Sequence, residues 1–347
     1  MTIDGGIPDS SSGPICVFGA GSIGCYVGGR LAAAGAKVRF IGRARFGEAI
    51  AKGGLRLADH RGADFWLEPG SVDYRTDPQA LRDAALVLVT VKAGDTADAA
   101  AVLADHAPPE AIVVSFQNGI GNEEILREAL PGRTVLAGMV PFNVVQLPGP
   151  AFKQATQGAL DVEQSAALAP FLPAFEKSGL PLTQHADFRP VQWGKLLLNL
   201  NNAVSGLSGL TLREELSQRA YRQCLAMAQR EALAAMKAAG IRPAKLTALP
   251  PALVPWLLGL PDWLFLRIAG SVLEVDAAAR SSMIDALDAG RKTDVDWLNG
   301  EVVRLAKKNG VPAPVNLKLV ELVHCAESGN RRRWSGPDLL AELRSAR

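Results

Sequence analysis

A lysine and three asparagines stand on an otherwise apolar stretch, Trp193-Gly194-Lys195-Leu196-Leu197-Leu198-Asn199-Leu200-Asn201-Asn202. At about 100° per residue in a helix, Lys195, Asn199 and Asn202 share one stripe. Polar groups on so apolar a helix need partners, since each one buried unmatched costs about 1–3 kcal/mol. A pocket for a small polar substrate supplies such partners. A structural asparagine ladder with a snorkelling lysine is the alternative.

Ser281-Ser282-Met283 and Gly290-Arg291-Lys292-Thr293-Asp294-Val295-Asp296 form a second polar group. Thr293 is placed to N-cap the last long helix, with Asp294 in its first turn. Asp294 then either compensates a helix dipole or serves a site. Earlier in the chain, Gln117-Asn118-Gly119 follows an apolar strand, and Lys92 ends another in Thr90-Val91-Lys92-Ala93. Both lie where open α/β sheets bind ligands, at the carboxyl ends of strands. A plain Asn-Gly turn is the competing account of Asn118.

The N-terminal region carries a phosphate loop. Gly19-Ala20-Gly21-Ser22-Ile23-Gly24 is a G-x-G-x-x-G that follows a strand and opens a helix. Gly19 permits the tight turn, Gly21 lets the backbone approach a pyrophosphate, and Gly24 lets the helix pack on the strand. The helix N-terminus offers N–H groups and a positive dipole end to phosphates. The next strand ends in Phe40-Ile41-Gly42-Arg43 with no acid to hold a ribose 2′-hydroxyl. The Arg43 guanidinium instead suits a 2′-phosphate, so the cofactor expected is NADPH.

These residues need elements to hold them. Strands are expected at 15–18, 37–41, 86–91, 111–116 and 134–140, with hairpins over 55–67 and 144–160. Helices are expected at 22–34, 96–104 and 123–130. From Asp187 onward the pattern is helical: 188–204, 212–239, 281–287, 294–308 and 315–327. The predicted architecture is α/β, a Rossmann-type doubly wound sheet, followed by an all-α domain. Its expected divisions are a disordered tail at 1–13, an NADP-binding domain at 14–187, a helical substrate domain at 188–330 and a C-terminal tail at 331–347. The triplet Arg331–Arg333 belongs to that last solvated tail.

Bulk composition narrows the partners. With 347 residues and 48% hydrophobic content the chain can fill two cores. A net charge of +2 gives no field for nucleic acid or an anionic membrane. Cys16, Cys25, Cys224 and Cys325 form no CxxC pair and no zinc spacing, so no metal site is expected and a reducing, cytoplasmic setting is. Leu246 to Pro261 carries no charge, but its four prolines and short length exclude a membrane span. Short helices over a cleft or at a subunit contact fit better, and a homodimer is compatible with them.

Together these pieces resemble the ketopantoate reductase family (2-dehydropantoate 2-reductases) over about 15–327. The matching residues are Gly19, Gly21 and Gly24, then Arg43, Lys92 in Val-Lys-Ala, and Asn118 in Gln-Asn-Gly. Lys195 and Asn199 in Lys-Leu-x-x-Asn follow, then Ser282 in Ser-Ser-Met and Asp294 in Arg-Lys-Thr-Asp. The resemblance implies hydride transfer from a nicotinamide to the keto carbon of 2-dehydropantoate (ketopantoate), giving pantoate for pantothenate and coenzyme A synthesis. It makes Lys195 the general acid, assisted by Asp294, with Asn118, Asn199 and Ser282 holding substrate and Lys92 by the cofactor. Two positions depart from the family: Asp294 stands where Glu is common, and Ala203 where a second asparagine is usual, with Asn202 its neighbour on the lysine stripe. Both concern substrate contacts, so another small 2-oxo acid is the competing substrate. A 6-phosphogluconate-type dehydrogenase would want more basic residues near Lys195 than Arg189 and Arg213. A non-catalytic NADPH sensor would not need the lysine–asparagine stripe.

Overall fold

The computed structural model describes residues 13–268 and 280–346, so the expected tail at 1–13 lies almost wholly outside the described residues. The chain divides into two compact units, Met1–Phe188 and Arg189–Arg347.

The first unit is built on a wide sheet. Its strands are β1 (Ile15–Phe18), β2 (Val38–Ile41), β5 (Asp73–Arg75), β6 (Leu86–Val89), β7 (Ile112–Ser115), β8 (Val135–Met139), β11 (Leu160–Glu163) and β12 (Leu182–His185). They lie in the order β12-β11-β8-β7-β6-β1-β2-β5. All neighbours are parallel except β11 and β8. Leu86–Val89 is buried throughout, as expected of an apolar strand covered on both faces. Alternate side chains serve two cores. Ile15, Val17, Leu86, Leu88 and Val114 join one, and Cys16, Val87, Val89, Val113 and Val135 join the other. The covering helices are α1 (Ser22–Ala33), α2 (Ala44–Gly53), α3 (Thr96–His106), α4 (Asn122–Ala129) and α5 (Leu172–Lys177). Both expected hairpins form, β3 (Leu55–Asp59) with β4 (Asp64–Leu67) and β9 (Val144–Leu147) with β10 (Ala151–Gln154). A parallel β3–β10 pairing joins them into a second, four-stranded sheet.

The second unit is helical: α6 (Arg189–Asn199), α7 (Asn201–Ser208), α8 (Leu212–Ser217), α9 (Arg219–Ala238), α10 (Val254–Leu258), α11 (Asp262–Ile268), α12 (Ser282–Asp288), α13 (Asn299–Lys308), α14 (Pro314–Glu327) and α15 (Gly336–Ser345). Three expected helices are subdivided. The 188–204 helix breaks at Leu200. The 212–239 helix breaks at Gln218, whose backbone is extended at φ −103 and ψ 118. A capping box at Thr211 and Glu214 starts the first half of that pair. The 294–308 helix opens as a 3-10 turn, Val295–Trp297, and resumes at Asn299 after Leu298 leaves helical geometry at φ −112 and ψ −90.

The region expected to be a C-terminal tail, 331–347, is instead structured in most of its length. Ser335 caps α15, and Leu339 and Leu343 are fully buried. The Trp334 amide donates to the Leu207 carbonyl at 2.9 Å, and the Tyr221 hydroxyl to the Trp334 carbonyl at 2.8 Å. The basic triplet is engaged too. Arg331 pairs with Asp288, and Arg332 lies over the Trp334 ring at 4.2 Å. A one-sided leucine stripe closing on α9 overrides the solvated reading that the charges suggest.

Candidate active site

The sheet order reverses between β1 and β6, since the chain runs β1-β2-β5 to one side and β6-β7-β8 to the other. This is the switch point at which such sheets take ligands. The glycine loop occupies it. Gly19 has φ +106, and a Cβ there would stand 2.6 Å from the Val91 nitrogen. A Cβ on Gly24 would stand 2.5 Å from the Gly19 carbonyl oxygen and 2.6 Å from Thr90 Oγ1. Both positions therefore require glycine for close packing. Gly21 differs: a Cβ there would meet nothing within 4 Å. It is the N-cap of α1, and no side chain caps the helix. Gly21 thus fronts open space at a helix N-terminus, a cradle that fits the pyrophosphate of a dinucleotide. Ala20, Ser22 and Ile23 complete the turn. The Thr90 hydroxyl donates to the Gly19 carbonyl at 2.7 Å, tying the loop to the end of β6.

Arg43 is exposed at the end of β2 and is the N-cap of α2, a helix absent from the sequence expectations. The Tyr74 hydroxyl donates to its carbonyl at 3.0 Å, which fixes the backbone and leaves the guanidinium toward solvent. A positive helix end beside a guanidinium adds to the electrostatic fit for a phosphate there.

Lys92 and Asn118 are exposed on the loops after β6 and β7. A buried polar network, not foreseen from sequence, joins those loops. Gln117 Nε2 donates to Thr96 Oγ1 at 2.8 Å and to the Val91 carbonyl at 3.2 Å. Ser115 Oγ donates to Gln117 Oε1 at 2.9 Å, and Asn122 Nδ2 to the Asn118 carbonyl at 3.0 Å. Thr96 Oγ1 lies 2.8 Å from Asn122 Oδ1. The available signal was a set of polar residues directly following apolar strands.

In the helical unit, Lys195 and Asn199 lie half-buried on α6, and Asn202 half-buried at the start of α7. Burial draws the Lys195 ammonium from 10.5 down to about 8, because desolvation disfavours the charged form. Asn201 turns to the interior at 7% exposure, with Ser205 and Glu215 completely buried. Burial pushes the Glu215 carboxyl up to about 8, against a weaker opposing pull from Ser205 and Asn201. Neither carboxyl oxygen meets full hydrogen-bond geometry. Ala203 is also completely buried.

Ser282 is the exposed first residue of α12, whose cap is Ser281. α12 packs on α7 through Gly206, where a Cβ would stand 3.0 Å from Met283 Cγ. The Ser-Ser-Met turn is thereby joined to the helix carrying Asn202. Asp294 is not in the first turn of the long helix as expected. It is the N-cap residue of the 3-10 turn ahead of α13, while Thr293 Oγ1 accepts from the Val295 amide at 3.3 Å. The reason is a second anchor: the Thr293 amide donates to Glu327 Oε1 at 2.7 Å, holding the segment against α14. Among the described residues no group of three or more His, Cys, Asp or Glu is placed to hold a metal ion.

Comparison with known proteins accounts for both units. Residues 15–167 match the family model described as ketopantoate reductase PanE/ApbA, and residues 187–327 match its C-terminal counterpart. A 2-dehydropantoate 2-reductase of Halobacterium salinarum is 28% identical, over 90% of this chain and 98% of its own. A PanE/ApbA family ketopantoate reductase from Ralstonia eutropha JMP134, known from its crystal structure, is 30% identical. It aligns with a TM-score of 0.76 over 92% of this chain and 100% of its own. D-mandelate dehydrogenase, solved with NADH and anilino(oxo)acetate, shares the fold at 20% identity and a TM-score of 0.75, over 92% of this chain and 100% of its own. With the glycine cradle at the switch point and the lysine–asparagine helix in place, the chain belongs to the ketopantoate reductase family and is an oxidoreductase of that type, working with a nicotinamide cofactor.

Proposed function

We propose that this protein reduces 2-dehydropantoate to pantoate with NADPH, feeding pantothenate and coenzyme A synthesis. The observation that carries the chemistry is Lys195, an amine drawn to about 8 by burial on the helix that also bears Asn199. An amine titrating there gives up a proton near neutral pH far more readily than a free lysine. It also steadies negative charge on a carbonyl oxygen while still protonated. Bound at the glycine loop, NADPH supplies the hydride that adds to the keto carbon.

The chain's own residues do the rest. Gly19 to Gly24 hold the pyrophosphate, and Arg43 takes the 2′-phosphate. Lys92 lies by the cofactor, and Asn118 contacts cofactor and substrate. Asn199, Asn202 and Ser282 hold the substrate carboxylate and hydroxyl. Lys195 protonates the developing alkoxide, and Asp294 orients Lys195 or the substrate. The chain works in the cytoplasm, a reading supported by its four unpaired cysteines. A homodimer is supported by the outer faces of α10 and α11, where Trp256 and Trp263 are 64% and 69% exposed.

One observation favours a second substrate. Ala203 offers no polar group where the family's second asparagine stands, so another small 2-oxo acid is the alternative. The test is a panel of 2-oxo acids assayed with NADPH by loss of reduced-nicotinamide absorbance. 2-Dehydropantoate is expected to give the highest kcat/KM. A tenfold higher value for another member would replace it.

A further inference from the structure

The break between α6 and α7 needs a cause. It falls at Leu200, inside Leu198-Asn199-Leu200-Asn201-Asn202, with neither proline nor glycine present. Leu200 itself is helical, at φ −57 and ψ −22, and its amide still donates to the Leu196 carbonyl at 2.9 Å. No side chain caps α7. An interruption of the helical hydrogen-bond ladder has few causes: proline, small residues, a bulge, or a side chain inserted into the ladder. The last is present. Gln229, in the middle of α9 and 3% exposed, donates from Nε2 to the Leu197 carbonyl at 3.0 Å. In an unbroken helix that carbonyl would accept from the Asn201 amide, four residues on.

We propose that Gln229 is a positioning residue for the reaction: by capturing the Leu197 carbonyl it holds the break, and so sets the aim of Asn202 relative to Lys195 and Asn199. This rests on the functional reading above. On a continuous helix Asn202 would lie about 20° from Lys195 around the axis, by helical geometry alone. With the helix interrupted between them, that angle is set by whatever holds the two segments. The other end of the Gln229 amide points to a special role. Its Oε1 is buried with no hydrogen-bond partner. A side chain of the same size without polar atoms would spare that unmatched acceptor, while freeing the Leu197 carbonyl. The two changes oppose each other in stability. What the amide uniquely supplies is the donor at the break.

The test uses the full-length enzyme with three variants. Gln229→Met keeps the volume and removes the donor. Gln229→Asn keeps the amide but draws it one methylene short of the carbonyl. Lys195→Met serves as the control on the site itself. Both Gln229 variants are expected to lose about tenfold in kcat and gain severalfold in KM for the 2-oxo acid, with NADPH Kd and thermal midpoint near wild type. If Gln229→Met does not fold, Gln229→Asn decides by the same criteria. Wild-type kcat and oxo-acid KM in either folded variant would overturn the inference. So would a loss of turnover matched by loss of NADPH binding and of thermal midpoint, which marks a merely structural glutamine. The functional reading fails separately, if Lys195→Met retains turnover.

Discussion

Thr90 Oγ1 and the carbonyl oxygen of Gly19 are 2.7 Å apart, so the end of β6 holds the phosphate loop by a side-chain hydroxyl. The same hydroxyl would lie 2.6 Å from a Cβ on Gly24, which places it between the first and third glycines of the motif. Thr90→Val keeps the shape and removes the bond, worth about 0.5–1.5 kcal/mol. The expected result is a rise of about fivefold in NADPH Kd with kcat held. Fluorescence titration of NADPH checks it, and an unchanged Kd would refute the role.

Arg43 stands exposed at a helix N-terminus with its backbone pinned by Tyr74. Arg43→Ala is expected to weaken NADPH by about tenfold or more, the scale of one charge-assisted contact. NADH should change little. Equal losses for the two cofactors, measured by the same titration, would argue against a 2′-phosphate contact.

Lys195 has an ordinary value of 10.5 and a folded value of about 8. The folded state therefore binds this proton less tightly than the unfolded chain. Its contribution to stability is fully present above 10.5 and is lost as pH falls through 8. At pH 7 the buried ammonium is a net cost, so Lys195→Met should raise the thermal midpoint by a few degrees, with the gain vanishing above pH 10. Turnover should drop by about a hundredfold or more. Wild-type kcat should decline as pH rises past about 8. A variant both active and no more stable at pH 7 would contradict the assignment.

Glu215 shifts in the opposite sense, from 4.5 to about 8. Here the folded state holds the proton more tightly, so stability is greatest below 4.5 and declines across the interval up to 8. Glu215→Gln removes the titrating group and should flatten that decline. Denaturant midpoints at pH 5 and pH 8.5 test it. The variant should gain on wild type by a few kcal/mol between the two, the scale of a shift of several pH units. Parallel curves would show that the carboxyl is ionised in the folded protein.

Much of this was legible in the residues, and the illegible parts share a cause. Gly19, Gly21 and Gly24 could be read because backbone constraints act locally and leave a fixed spacing. The strands at Leu86 and Ile112 could be read because full burial leaves an unbroken apolar run. By contrast β5 is only Asp73-Tyr74-Arg75 at the sheet edge, held by Arg39 pairing with Asp73 and by Tyr74 stacked on Phe40. α2 is strongly one-sided, with Phe46 and Ile50 four residues apart facing the core, so its periodic signal was present in the residues and was passed over between the strand and the hairpin. The breaks at Leu200 and Gln218 have no local punctuation, and the first is made by a glutamine 32 residues away from its acceptor. The Gln117 network likewise spans separations of 21 and 26 residues. Contacts of this reach are set by tertiary packing and leave no short-range pattern. For the same reason Asp294 was assigned to the wrong turn, since Glu327 was the partner that decided its place.

The four cysteines differ sharply in access. Cys16, Cys25 and Cys224 are completely buried and their thiols are pushed up to about 12, whereas Cys325 is exposed on α14. A maleimide dye applied to the native enzyme therefore reacts at one address on the helical unit. The wild-type chain is already a single-label reagent for fluorescence anisotropy or surface tethering, with no cysteine needing to be engineered away.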